Sequence, residues 1–377
     1  MKQKKFIPVS CPVFAGNEKK YVNECLDSVW ISSSGRFVRL FEESFAQFCS
    51  AAHAVSCNNG TSALHLALLA LGVEPGDEVL VPTLTYVAAA NVIRYCHAKP
   101  VLIDSEPRTM NMDPALVEAA ITRKTRGIVA VHLYGHPADM DPILEIARRH
   151  GLFVVEDAAE AHGALYRGRK VGSLADAATF SFYGNKVLTT GQGGIVTTGS
   201  EALAGRLRLF RGQGGCNAER RYWHPVIGHN YRMTNIEAAI GLAQVECAET
   251  HMAARRRVAE WYTRHLAPLA EFVSLPVEEP WARHAFWMYT VLLRQPETDR
   301  DAFMQALLEE NIETRPVFHP MHVIPAHREP GGHYPVAEDL ARRGVSLPTH
   351  GLLEEEDIAR IAGAIRAICT SAPALKR

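Results

Sequence analysis

Between Ala54 and Glu156 the chain switches repeatedly between two hydrophobic patterns, and this alternation narrows the possible folds more than any other feature. Short, nearly continuous apolar runs at 54–57, 78–81, 100–104, 127–133 and 152–156 read as strands buried on both faces. The stretches between them, 61–71, 86–95, 114–121 and 142–150, repeat their apolar residues at helical spacing. Strands of this kind joined through helices pair in parallel and need both faces covered. The expected architecture is α/β, a large domain with a mostly parallel sheet flanked by helices. Past Asp157 the rhythm changes, with strands expected at 177–182 and 194–198 on either side of a glycine-rich turn, Thr190-Gly191-Gln192-Gly193-Gly194. Ile236 to Leu266 has no Pro, and no Gly after Gly241, so it reads as one long helix. A strand at 287–293 and helices at 300–309 and 354–368 then predict a smaller α+β domain. The expected division is 1–245, an N-terminal segment with the large domain, and 246–377, a connecting helix with the small C-terminal domain.

Three places on this frame carry chemistry. Lys186 follows the run 177–182 in Ser181-Phe182-Tyr183-Gly184-Asn185-Lys186, on a tight connection out of a buried strand. An amine presented from such an edge suits a Schiff-base nucleophile, and the bland alternative is a solvated surface charge. Asp157 falls at the carboxyl end of the strand 152–156, where open α/β sheets place their ligands, although a carboxylate there can equally cap a following helix. Cys57-Asn58-Asn59-Gly60-Thr61-Ser62 runs from a strand through a turn into a helix, and free N–H groups at such a helix start favour a phosphate. An ordinary N-cap is the competing reading of Gly60-Thr61-Ser62.

Composition removes other classes of function. The 377 residues are 47% hydrophobic, enough for a large core, and 40 basic against 41 acidic residues give a net charge of −1. No overall field points to nucleic acid or a membrane, so any anion site is local. The eight cysteines, Cys216 among them, lack a Cys-x-x-Cys pair and read as reduced thiols of a cytoplasmic protein. The basic start, Met1 to Lys5, is followed by Pro8 and Pro12 rather than by the apolar core of a signal peptide. His319 and His322, with Pro320 between them, share no regular helix face and complete no carboxylate set, so no metal is expected.

Taken in order, Gly60-Thr61-Ser62-Ala63-Leu64, then Glu156-Asp157-Ala158-Ala159-Glu160-Ala161-His162-Gly163, then Ser181 to Lys186 with the 189–194 turn, resemble the DegT/DnrJ/EryC1/StrS family of nucleotide-sugar aminotransferases. The resemblance spans nearly the whole chain, from Tyr21 to His350. It implies the fold-type I architecture of enzymes that use pyridoxal 5′-phosphate (PLP), with pyridoxamine phosphate as the alternate form. By the same resemblance Lys186 binds the cofactor covalently, Asp157 pairs with its pyridine nitrogen, and Gly60, Thr61, Ser62 and Ser181 hold its phosphate. Tyr86 matches the residue that stacks on the ring, with a core tyrosine as the alternative, and Asn230 matches an asparagine that reaches the neighbouring subunit's cofactor, which implies a homodimer with shared sites.

Two departures from the family pattern stand out. Glu160 replaces the Gln found in many members beside the cofactor's phenolic oxygen, and Gln192 replaces a Glu in the glycine turn. The stretches 211–214, 221–225, 230–235, 286–289 and 315–322 resemble the branch that aminates C4 of GDP-4-keto-6-deoxy-D-mannose, with L-glutamate as donor. Among the residues expected to bind this substrate are Trp30, Ser32, Arg211, Arg232, Arg315 and His319, drawn from an arginine set that also includes Arg220 and Arg221. A UDP- or dTDP-linked 4-keto-6-deoxy sugar is the alternative substrate. A branch that removes the C3 oxygen carries histidine in place of Lys186, and a non-catalytic PLP-binding regulator would lack Lys186 or Asp157; both are present.

Overall fold

The structure is a computed structural model that describes residues 5–215, 220, 222–295 and 298–370, so Cys216 and Arg221 lie outside the described residues. Seven strands form the main sheet: β1 (His53–Cys57), β2 (Glu78–Pro82), β3 (Lys99–Ile103), β4 (Thr125–Val131), β5 (Phe153–Asp157), β6 (Ala177–Ser181) and β7 (Gly194–Thr198). Their order across the sheet is β1-β7-β6-β5-β4-β2-β3, and β7 alone runs antiparallel to its neighbours. The sheet is thus mostly parallel, as its uninterrupted apolar strands predict, and β2, β6 and β7 are buried at every position.

Helices cover both faces. Helix α1 (Glu18–Asp27), α2 (Arg36–Cys49) and α5 (Met140–His150) border one cluster of buried side chains, while α3 (Gly60–Leu71), α4 (Ala88–Tyr95) and α6 (Glu201–Arg211) border another. The long helix expected from Ile236 to Leu266 is two helices, α7 (Asn235–Glu246) and α8 (Ala248–Leu266), separated at Cys247, whose ψ of 10° leaves the helical range. No Pro or Gly marks that break, so the composition gave no sign of it.

A second, antiparallel sheet of four strands follows: β8 (Val273–Ser274), β9 (Tyr289–Leu293), β10 (Arg315–Pro316) and β11 (Gly344–Leu347), in the order β8-β9-β11-β10. Helices α9 (Arg300–Glu309) and α11 (Glu355–Thr370) pack with α8 around its own cluster of Tyr262, Tyr289, Phe303, Leu347 and Ile361; α10 (Pro335–Arg343) leads into β11. A further buried cluster joins Leu84, Tyr134, Val187, Trp287 and Val317, of which the first three lie in sequence just past the carboxyl ends of β2, β4 and β6.

Candidate active site

Consecutive residues of a strand point to opposite faces, and β5 ends by using both. Glu156 points inward, fully buried, and accepts the backbone N–H groups of Gly172 (3.0 Å), Leu174 (2.8 Å) and Ala175 (3.2 Å). His132 completes the set: its Nδ1 accepts the Ala138 N–H at 3.0 Å, so Nε2 carries the proton and donates to Glu156 at 3.1 Å. With its strand end anchored on that face, Asp157 is held rigidly on the other. Among the described residues its side chain accepts only the Ala159 N–H, at 3.2 Å, and burial raises its pKa against that bond and the fields of Lys186 and His132. Turns, not a helix, follow it, which removes the helix-cap alternative. A buried carboxylate with so few partners fits a cationic ring nitrogen.

Lys186 is no solvated charge, because its side chain is 11% exposed. A turn bond from the Lys186 N–H to the Tyr183 carbonyl (2.9 Å) holds it just past β6. Its amine lies 3.6 Å from Glu160 Oε1 and 3.6 Å from the centre of the Trp287 ring. Burial drives the lysine pKa down while Glu160 and Asp157 oppose the shift; burial drives the Glu160 carboxyl up, to about 7. Glu160 Oε2 also accepts the Tyr134 N–H at 2.7 Å. Both partners are therefore biased toward their neutral forms, the direction that favours a nucleophilic amine.

The raised Glu160 pKa predicts a slope in stability. From its ordinary 4.5 up to about 7 the folded chain keeps a proton that the unfolded chain releases, so stability falls as pH rises through that window. Glu160→Gln has no such slope. At pH 8 it should be more stable than the wild-type apoprotein by roughly 3 kcal/mol, seen as a higher Tm, and the difference should shrink toward pH 5. Parallel Tm curves for the two proteins across pH 5–8 would contradict the assignment.

Aromatic rings wall the site. Tyr134 lies nearly parallel to Trp287 (6.1 Å between centres, 12°) and to Phe318 (5.5 Å, 14°), and Phe318 in turn meets Tyr86 at 5.8 Å. Tyr86 is 58% exposed on the open side of this wall, which removes the core-tyrosine alternative and leaves its ring free to stack on a ligand.

At the other end, the Asn59 side chain accepts the Ser62 N–H (2.8 Å) and its carbonyl accepts that of Ala63 (3.0 Å). Among the described residues nothing takes the N–H groups of Gly60 and Thr61 at the positive end of the 12-residue helix α3. Ser62 itself is buried, its amide already used. A Cβ on Gly60 would lie 2.8 Å from the Ser181 Cβ, so glycine is what lets the helix start close on β6. Gly194 serves the same junction, since a Cβ there would sit 2.2 Å from the Asn59 oxygen. A hydroxyl, two free amides, an acid facing the sheet end and a buried amine fit the phosphate, ring nitrogen and carbonyl carbon of PLP.

The residues expected to bind substrate divide into separate groups. Trp30 and Ser32 are exposed, and Asn235 ties them to the start of α7 through its side-chain amide to the Trp30 oxygen (2.6 Å) and its N–H to the Ser32 oxygen (3.0 Å). Close by in sequence, Asn230 and Arg232 are exposed and joined to each other at 3.1 Å, while Tyr231 between them accepts the Asn58 N–H at 2.8 Å. His319 is exposed next to Phe318, and Arg315 pairs with Glu313 at 2.6 Å. Arg211 departs from expectation. Its Nη1 is committed to Glu42 (2.6 Å) and to the Ser56 carbonyl (2.7 Å), with the side chain 16% exposed, so it ties α6 to α2 and β1 instead of facing a ligand. Gln192 is exposed, and its difference from Glu leaves the glycine turn intact. Tyr134, Trp287 and Arg255 were not singled out in the sequence as site residues, because each reaches the site only through tertiary packing.

The family model for the DegT/DnrJ/EryC1/StrS aminotransferases matches residues 13–366. The chain belongs to this family. Among DegT/DnrJ/EryC1/StrS proteins it is similar to a GDP-perosamine synthase of Caulobacter vibrioides, with 55% identity over 95% of this chain and 97% of that protein. A second GDP-perosamine synthase, from Escherichia coli O157:H7, is 48% identical over 96% of this chain and 98% of its own length. Among solved structures, DesV of S. venezuelae in complex with a ketimine intermediate superposes with a TM-score of 0.88 at 39% identity, covering 93% of this chain and 94% of that one. The aminotransferase likeness agrees with the α/β fold and the mostly parallel sheet. Among the described residues, no group of three or more His, Cys, Asp or Glu is arranged to hold a metal ion, and no helix is long and apolar enough to cross a membrane.

Proposed function

We propose that this chain is a PLP-dependent aminotransferase that moves nitrogen from L-glutamate to C4 of GDP-4-keto-6-deoxy-D-mannose, giving GDP-perosamine and 2-oxoglutarate. The observation that carries the reading is 55% identity, over nearly its full length, to a GDP-perosamine synthase in a chain that keeps Lys186 and Asp157. PLP, when bound, supplies an electron sink for the carbon that loses its proton.

The protein's part follows from the side chains. Gly60, Thr61 and Ser181 hold the phosphate, and Tyr86 covers the ring. Asp157, ionised against the ring nitrogen, keeps that nitrogen protonated. Lys186 would be the residue that holds the cofactor covalently, and its buried amine, whose pKa burial lowers, is the group placed to take the proton from the amino-acid α-carbon. For the sugar Lys186 runs the same transfer in reverse. Glu160, with its pKa near 7, sits 3.6 Å from that amine and buffers its charge through both halves.

Arg232, Arg315 and the exposed Trp30 are the groups proposed for the nucleotide, with Ser32 and His319 toward the sugar. The working unit is a homodimer in the cytoplasm, each site completed by the partner's Asn230 segment. Incubating the enzyme with glutamate and GDP-, UDP- and dTDP-linked 4-keto-6-deoxy sugars tests the substrate. Amination of the GDP sugar at least tenfold faster in kcat/KM than of either alternative is the expected result. Preference for a UDP or dTDP sugar would overturn the GDP assignment while keeping the chemistry.

A further inference from the structure

Arg255 is a buried cation without a counter-ion. It is 4% exposed, forms no ion pair among the described residues, and burial alone lowers its pKa, to about 10. Its described bonds run from Nη1 to two backbone carbonyls, those of Trp287 (2.8 Å) and Thr349 (2.6 Å). A guanidinium in the interior with only carbonyl partners is costly to keep, and a well-packed apolar side chain would serve stability better. The position has to be explained by something other than folding energy.

Its contacts lead to Lys186. Trp287, whose carbonyl Arg255 holds, touches the lysine in two ways: its ring lies 3.6 Å beneath the amine, and its Nε1–H donates at 2.8 Å to the carbonyl of Asn185, the residue just before Lys186. Trp287 therefore fixes both the root and the tip of the lysine. Thr349, the other partner, accepts the Tyr289 N–H through its hydroxyl (2.9 Å), so Arg255 sets the chain on both sides of the entry into β9. We propose that Arg255 is a positioning residue that acts on Lys186 through Trp287, coupling helix α8 to the geometry of the reacting amine.

The charges around it point the same way. The field of Arg255 bears on Lys186, His162, His251 and His350, and it lowers the pKa of each. Facing Lys186 are the carboxylates Glu160 and Asp157, which oppose that effect. All three histidines are pushed down chiefly by burial and are neutral at pH 7, so they supply no competing charge. Burial is what chiefly lowers the Lys186 pKa, and the positive charge of Arg255 adds a smaller push in the same direction, against Glu160 and Asp157.

This inference rests on the proposed role of Lys186 but is tested without the cofactor. In apoprotein, the rate at which Lys186 is labelled by an amine-reactive reagent across pH 6–10, read by mass spectrometry, reports the amine's titration. Arg255→Met should move the labelling midpoint upward, and Arg255→Lys should restore most of the shift. A purely structural arginine would lower Tm and leave the midpoint where it was. With PLP bound, Arg255→Lys and Trp287→Phe should each lower the single-turnover rate constant of the half-reaction with glutamate roughly tenfold with little change in the half-saturating glutamate concentration, and the double variant should be no slower than the worse single one, because both act along one path. Should Arg255→Met fail to fold, the Arg255→Lys, Trp287→Phe cycle stands alone. An unmoved midpoint, or strictly additive losses in the cycle, would overturn the proposal; loss of the GDP-sugar assignment would not touch it.

Discussion

Lys186→Ala should abolish transamination while the protein still binds PLP. A general acid–base group contributes roughly 10² to 10⁴ in rate, and here one residue performs proton transfer in both halves, so a loss of about 10⁴-fold or more is expected. The groups proposed for the phosphate and ring nitrogen, Gly60, Thr61, Ser181 and Asp157, are untouched by the substitution. The cofactor should therefore bind but dialyse away, and borohydride should no longer fix it to the chain. In the wild type the same treatment should place the label on Lys186 alone. Folding should not suffer, since removing a buried amine also relieves a desolvation cost, although it leaves Glu160 without its partner at 3.6 Å. Fixation of the cofactor to another lysine, or activity within a hundredfold of wild type, would remove Lys186 from the centre of the reaction.

The residues around Lys186 divide by how they could be read. Asp157 and Gly60 were legible because local rules apply to them: a carboxylate at the end of a buried strand, and a glycine between a strand and a helix start. The main sheet was legible for the same reason, since β1 to β7 each bury short apolar runs. The aromatic wall was not. Tyr134, Trp287 and Phe318 come from three distant segments, and Tyr134 sits at φ 54°, a conformation that nothing in its neighbours announces. Arg211 shows the reverse error. Next to Gly212 and Gly214 it had the look of an anion ligand, yet a carboxylate far back in the chain, Glu42, claims it. The break between α7 and α8 was equally silent, because Cys247 carries no helix-stopping chemistry and its backbone turns only where two packed helices change direction.

Mixing two inactive proteins should restore activity if the sites are shared between subunits. Asn230 and Arg232 are exposed, bonded to each other, and carried on a segment that Tyr231 pins to Asn58, one turn away from Gly60. That anchoring holds the segment's base on its own chain and leaves both polar side chains facing outward, where an isologous dimer presents them to its partner. Trp30, Ile31, Trp223 and Ile227 are also exposed, apolar surface of the kind a dimer would cover. Lys186→Ala subunits retain the segment and lack the amine; Asn230→Ala, Arg232→Ala subunits retain the amine and lack the segment. A mixed dimer then carries one site with both defects and one with neither. Random pairing of equal amounts makes half the dimers mixed, each with one intact site of two, so the mixture should recover about a quarter of wild-type activity. Subunit exchange is checked independently by native mass spectrometry of a tagged partner. Should exchange be complete and the mixture stay inactive, the segment acts within its own chain, and the Tyr231 bond to Asn58 is then the contact that delivers Asn230 to the phosphate end of the same site.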